Sequence, residues 1–450
     1  MSRDEQPKAK THELLAELGQ APGMPLRLGG LDAAQLAADF GTPLYVYDAE
    51  LLRRRCAAVQ EAFGPRVGLL YALKANPCAA VAAVLREAGA GIELASAGEL
   101  AIAERAGFAP ELMQYAGPAK SRAELRRAAE LGIGAINLES ESEYERLVEV
   151  LHELEEGRAP VARVAIRVNL AAGAGSAGMR MAGGCSKFGV DEERVPDLAA
   201  RIESEARCRL IGLHMYLGTQ VLDAAAWLQG AEGLVQVAER VEQRLGRKLE
   251  SLDFGGGFGV STQTGGADFD LQRAGRGLRE LLERHGTPQA WLELGRYLTA
   301  PAGVYLTSVV ETKRSGAADY ALLDGGMHQH AAAAGFGAVL RRPWPVVLAR
   351  APWERVAESS WRVGGPLCTP QDEFAIESVL PALRPGDVLG FLASGAYGAS
   401  FSPGAFLGHP APAELLVDRG RAFVVRERGQ SSDALLRQRM PDLDPEELSP

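Results

Sequence analysis

The chain has 450 residues, 47% of them hydrophobic and 24% charged, which suits a soluble globular protein of two domains with core enough to shelter a buried site. Its formal net charge of −10 argues against nucleic acid or an anionic membrane as the main partner, because those are met by basic patches. The cysteines Cys56, Cys78, Cys185, Cys208 and Cys368 are odd in number and scattered without zinc-ligand spacing, so neither a disulfide framework nor a structural metal is expected.

The polar start, MSRDEQPKAKTHELLAELG, has no signal-peptide core. No apolar run approaches the roughly 18 residues of a membrane span. The cytoplasm is therefore the expected compartment. Residues 1–35 read as a helical or loose extension. Residues 36–304 read as one unit, opening on TPLYVYD (42–48), a strand that could be shared with a β-rich domain further on. Eight short apolar runs follow, at Val67–Lys74, Gly91–Ala95, Leu112–Ala116, Ala135–Leu138, Val161–Asn169, Leu210–Met215, Leu249–Phe254 and Trp291–Leu294. The segments between them, such as AELRRAAELG, carry apolar residues at helical spacing. Eight alternating strand–helix units predict a (β/α)8 TIM-type barrel. Beyond it, short β-branched runs such as VYLTSVVETKR, WRVGGPLC and ELLVDRGRAFVVRER predict a C-terminal β-rich domain over 305–430. The polar, proline-containing stretch 431–450 reads as a flexible tail.

In such barrels chemistry gathers at the C-terminal strand ends. Read in order, these ends carry Lys74, Glu93, Gly117, Glu139, Arg167 with Asn169, His214, the triplet Gly255–Gly257, and Glu293 with Arg296. Lys74 in YALKANP is a candidate for Schiff-base chemistry, because desolvation would lower its pKa and free the amine; a strand-end lysine that snorkels to solvent is the plain alternative. DFGGGFG ends a strand and is expected to open a helix, where backbone N–H groups approach a phosphate; a simple glycine turn reads equally well. It lacks the spacing of a dinucleotide site. Glu293 beside Arg296 could keep a pyridine nitrogen protonated or form an ordinary surface pair. His214 could lie over a planar cofactor, although a satisfied core histidine is commoner. Cys368 in GGPLCTPQD is either a proton donor or a small buried apolar residue.

Together these residues resemble the pyridoxal 5′-phosphate-dependent decarboxylases of fold type III, an alanine-racemase-like barrel family that includes diaminopimelate, ornithine and arginine decarboxylases. The resemblance runs from about residue 40 to residue 430. It implies that Lys74 holds the cofactor, with Glu93 of GIELASAGEL close by and Arg167 also at the cofactor. His214 of HMYLGTQ would stack on the ring, and Gly255, Gly256 and Gly257 would form the phosphate loop. ELGR is similar to the family's Glu-Pro-Gly-Arg motif, which puts Glu293 at the pyridine nitrogen and Gly295 with Arg296 at the phosphate or substrate side. Tyr397 of GAYGAS corresponds to a phosphate-contacting tyrosine. Cys368, with Thr369 and Asp372, resembles a loop that a partner subunit inserts into the site. A head-to-tail homodimer with shared active sites is implied.

The departures bear on the substrate. Where diaminopimelate decarboxylases have an arginine and a tyrosine for the far end of the substrate, DGGMHQHAAAAGFGAVLRR has Ala332 and Phe336. Where they place a glutamate after the cysteine, this chain has Thr369. A free distal charge would be poorly paired there. The sequence looks most like decarboxylases acting on L-glutamyl groups tethered to an acyl-carrier protein, and the alanines at 331–334 with Gly335 are expected to leave room for the carrier's arm. Arg341 and Arg342 are candidates for docking an acidic carrier, or an ordinary solvated pair. A free-amino-acid substrate such as diaminopimelate is the alternative. A racemase on the same barrel or a non-enzymatic regulator are rivals that the CTPQD loop and the retained cofactor residues disfavour.

Overall fold

Runs of Val, Ile, Leu and Ala that are apolar throughout, rather than alternately, are the mark of parallel strands covered on both faces, and eight of them close a barrel here. In the computed structural model, which describes residues 5–154, 160–171, 179–180, 185–262, 268–336, 343–350 and 358–440, a strand β1 (Leu44–Asp48) precedes the barrel strands. These are β2 (Val67–Ala72), β3 (Gly91–Leu94), β4 (Met113–Tyr115), β5 (Ala135–Leu138), β6 (Ala162–Asn169), β7 (Cys208–His214), β8 (Ser251–Gly256) and β9 (Gln289–Leu294). Each pairs in parallel with the next in the chain, and β9 returns to β2 with Leu294 opposite Tyr71 to close the ring. The helices between them begin and end where side chains dictate. Ser121 and Glu124 form a capping box at the start of the helix Arg122–Leu131, and Gly132 ends it at φ 64°, a left-handed conformation that glycine takes without steric penalty.

The C-terminal region is a β-structure built on β10 (Gly303–Ser315). This long strand pairs antiparallel with β1 on one edge, Val304 lying opposite Val46. The strand Ala413–Asp418 adds to β1 in parallel. Thus the segment before the barrel is an inner strand of the C-terminal sheet, and the two regions are stitched by the chain itself. The barrel's last strand passes to β10 through one four-residue helix, Arg296–Thr299.

Three expectations need correction. The N-terminal extension is helical over Glu5–Glu17, one of its two expected forms, and docked rather than loose: Leu14, Leu15 and Leu26 are buried, the Leu26 N–H donates to the Ala349 carbonyl at 3.0 Å, and buried Lys10 pairs with Asp268 at 3.1 Å. The glycine triplet opens no helix, since the next one begins at Leu271. The start of the polar tail is a short 3-10 turn over Ser431–Leu435, while 441–450 lies outside the described residues. Among the described residues no helix is long and apolar enough to cross a membrane.

Candidate active site

Lys74 leaves β2 on a single 3-10 turn, Leu73–Ala75, which lifts its side chain over the barrel's C-terminal mouth. Its Nζ donates to Glu93 Oε2 at 2.8 Å, with Glu93 buried and Lys74 still 37% exposed at the opening. The expected lowering of the Lys74 pKa is overturned. Burial does pull it down, but the charges of Glu93 and then Glu293 outweigh burial and raise it above the ordinary lysine value. The buried Lys120 is no rival, because its Nζ is bound to the Gly117 and Asn137 carbonyls at 2.9 and 2.7 Å and to Glu143 at 3.2 Å.

Opposite Lys74, His214 at the end of β7 and Glu293 in β9 are both buried, with His214 Nε2 3.1 Å from Glu293 Oε2. Asp253 of β8 completes a cluster whose ligand-type atoms all lie within 4.8 Å of one another. Burial, reinforced by the Glu293 charge, pushes Asp253 up to about 8. Burial would lower His214, but Glu293 holds it above its usual value; His214 in turn holds Glu293 below the usual carboxylate range against the cost of burial. One carboxyl of the cluster therefore keeps its proton at neutral pH while the other is ionised.

Arg167 reaches across from β6, donating to Glu139 at 2.6 Å and lying over Phe188 at 4.6 Å and Tyr216 at 5.9 Å. Arg296, half-buried, lies over the Tyr397 ring at 4.5 Å. Tyr397 itself is held at φ 52° by an N–H bond to the Ala75 carbonyl at 2.7 Å. Lys74, Gly257, Glu293, Gly295, Arg296 and Tyr397 line one pocket.

The comparisons with known proteins agree with this constellation. Residues 49–300 match the family described as pyridoxal-dependent decarboxylase, pyridoxal binding domain. The chain belongs to that family. It is 36% identical to an L-glutamyl-[BtrI acyl-carrier protein] decarboxylase of Niallia circulans, over 91% of this chain and 97% of that one. It is 34% identical to the diaminopimelate decarboxylase of Methanothermobacter thermautotrophicus, over 92% and 96%. The fold superposes on a diaminopimelate decarboxylase of Helicobacter pylori solved with L-lysine, with a TM-score of 0.81 at 26% identity, covering 89% of this chain and 98% of that one.

As a pyridoxal-dependent decarboxylase the chain is a carboxy-lyase that uses pyridoxal 5′-phosphate, and the pocket fits that group. His214 Nδ1, Glu293 Oε1, Asp253 Oδ2 and Arg296 Nε are all buried with no hydrogen-bond partner. Such atoms are costly unless something polar meets them, and three of the four belong to the cluster that faces Lys74. The glycine triplet is demanded by close packing. A Cβ at Gly255, Gly256 or Gly257 would stand 2.1, 1.8 or 1.9 Å from the carbonyl oxygens of Met215, Glu293 or Gly218.

Some expected residues lie elsewhere. Within one chain Cys368, Thr369, Ala332 and Phe336 do not line this pocket, and Cys368 is exposed. Asp372, expected on the substrate side, is buried and accepts from the Met327 and Leu367 N–H groups at 2.6 and 2.8 Å, which braces the loop that carries Cys368. Ala331, Ala333 and Ala334 are buried, so they are packed against the protein and do not wall an open channel. Arg341 and Arg342 lie outside the described residues. Tyr216, Thr219 and Asp253 were missed as site residues. Tyr216 stands two residues after His214 with its ring 5.6 Å from Lys74 Nζ, and Asp253 is the carboxylate inside DFGGGFG.

Proposed function

We propose that this decarboxylase removes the α-carboxylate of an L-glutamyl group carried as a thioester on an acyl-carrier protein. The observation that carries the reading is the neutral character of the positions that would meet the far end of the substrate. Ala332 and Phe336 offer no charge there, and Thr369 offers none beside Cys368. A site with no cation for a distal carboxylate and no anion for a distal ammonium gains little from a doubly zwitterionic substrate. A thioester has neither charge. The Niallia circulans relative acts, by its name, on such a group.

The proposed roles are consistent with the geometry. Lys74 Nζ is the amine that takes the cofactor, and Glu93, 2.8 Å away, accepts its hydrogen bond and keeps it aimed into the pocket. Pyridoxal 5′-phosphate, when bound, supplies an electron sink for the pair left at Cα as CO2 departs. Glu293, ionised and tethered to His214, presents its free Oε1 to hold a proton at the pyridine nitrogen, while the His214 ring backs the site. Arg296, Tyr397 and the Gly255–Gly257 segment take the phosphate side, with Arg167 anchored across the mouth by Glu139. Cys368 of a second copy returns a proton to Cα, which makes the working unit a homodimer with shared sites.

The test is one assay of kcat/KM for meso-diaminopimelate, free L-glutamate and L-glutamyl carrier protein. The thioester should be preferred by about a hundredfold or more, close to 2.7 kcal/mol of differential barrier. Efficient turnover of diaminopimelate without preference for the thioester would instead make the protein a lysine-forming enzyme.

A further inference from the structure

Large apolar side chains seldom stand exposed in a row unless something covers them, yet three aromatic rings lead outward from the pocket. Tyr397 lies under Arg296 at the pocket wall. Phe401 meets the Tyr397 ring edge-on at 6.0 Å and 84°, and Phe336 meets Phe401 at 6.4 Å and 67°. The last two are 54% and 57% exposed. The rings are held in place. Ala331 N–H donates to Ser402 Oγ at 2.8 Å, Ser402 Oγ donates to the Gly398 carbonyl at 2.8 Å, and Phe336 N–H closes its turn onto Ala331 at 3.0 Å. Two separate loops are thus locked together with their rings aligned. Tyr397 in its left-handed backbone conformation is a strained placement of the kind that persists where a site requires it. Neither loop, 331–336 nor 395–408, contains a single Asp, Glu, Lys or Arg, although the pocket they leave is densely charged.

We propose that the ladder Tyr397–Phe401–Phe336 is a binding track for the neutral, amide-containing arm of a pantetheine thioester, guiding the acyl end from the surface to Lys74. This rests on the thioester reading of the substrate and adds the residues that recognise its tether. Alkyl and amide segments lie well against aromatic faces and edges. An uncharged track also sets no charged group against an arm that bears none between its two ends. A free amino acid has no tether to lie along Phe401 and the outer face of Phe336.

The experiment compares L-glutamyl-S-pantetheine with the L-glutamyl methyl thioester, which has the same reacting group and no arm. The holoenzyme should show a KM about tenfold lower for the pantetheine thioester, equivalent to about 1.4 kcal/mol. Phe336→Ala and Phe401→Ala should each shrink that preference and together abolish it. Phe336→Glu, an exposed change that the fold tolerates, should weaken the pantetheine thioester further, because it puts a carboxylate beside a neutral chain. Unchanged KM ratios in all variants, with both thioesters turned over, would overturn the track and leave the substrate reading standing. Turnover of neither thioester by the wild type would sink both. Equal losses for the two thioesters, with dissociation of the enzyme in sedimentation, would make the ladder a contact between copies and overturn the track.

Discussion

Burial alone would draw the Lys74 ammonium below its ordinary pKa, but two carboxylates face it and reverse the sign. The amine is therefore held in its charged form beside Glu93, and a strand-end lysine in an apolar sequence gave no hint of that, because the partners come from β3 and β9. The strand-end rule singled out Lys74, Glu93, His214 and Glu293 and passed over Asp253, which lies opposite His214 in the β7–β8 ladder but before the glycines that end β8. Its behaviour is testable. The folded protein keeps the Asp253 proton up to about pH 8, while an unfolded aspartate releases it near pH 4. Between those values the folded state binds more protons, so this group's contribution to stability falls as pH rises. Urea midpoints of the cofactor-free protein from pH 5 to 8 should fall less steeply for Asp253→Asn than for wild type, and parallel slopes would refute the assignment. Glu293→Gln addresses the partner carboxylate. It should leave the cofactor's visible absorbance in place yet lower kcat at least about a hundredfold, or about 2.7 kcal/mol. A variant within about threefold of wild type would remove Glu293 from that role.

The eight barrel strands were readable because strands buried on both faces are written as continuous apolar runs, and their ends fell within a residue or two of the expected ones. The strand β1 could be suspected of belonging to the other sheet, and it does pair with β10. The docking of residues 10–28 could not be read, since Leu14, Leu15 and Leu26 gain their burial only from tertiary contacts in an otherwise polar stretch. The segment 253–259 shows how an element can be found and yet misjudged. Its glycines look like a phosphate-binding helix start, but Gly256 pairs with Glu293 in the β8–β9 ladder, where an added Cβ would strike the Glu293 carbonyl oxygen at 1.8 Å. Gly256→Ala should therefore force β8 away from β9 and carry the Glu293 side chain with it. An overpacking cost of about 1–3 kcal/mol is expected, seen as a lower denaturation midpoint together with weaker retention of the cofactor. Loss of stability with cofactor retention unchanged would show that Glu293 is positioned independently of this ladder.

In the whole molecule, the residue proposed to protonate Cα and the residue proposed to hold the cofactor do not line one pocket. Cys368 is exposed on the loop braced by Asp372, and it is absent from the walls of the pocket that contains Lys74. On the proposed reading a single chain carries both halves of a site without joining them, and a head-to-tail pair would join them twice. That arrangement makes a quantitative prediction. Lys74→Ala should lose turnover and the cofactor's visible band altogether. Cys368→Ala should keep the band but turn over slowly, losing proton return more than CO2 release. When the two are mixed in equal amounts and allowed to exchange subunits, half of the dimers are hybrids. Each hybrid holds one site with both native residues and one with neither, so activity should rise to about one quarter of wild type. Subunit exchange is followed separately, by energy transfer between labelled chains. If exchange is complete and activity stays at the level of the Cys368→Ala protein alone, the shared site is wrong, and Cys368 must act within its own chain or not at all.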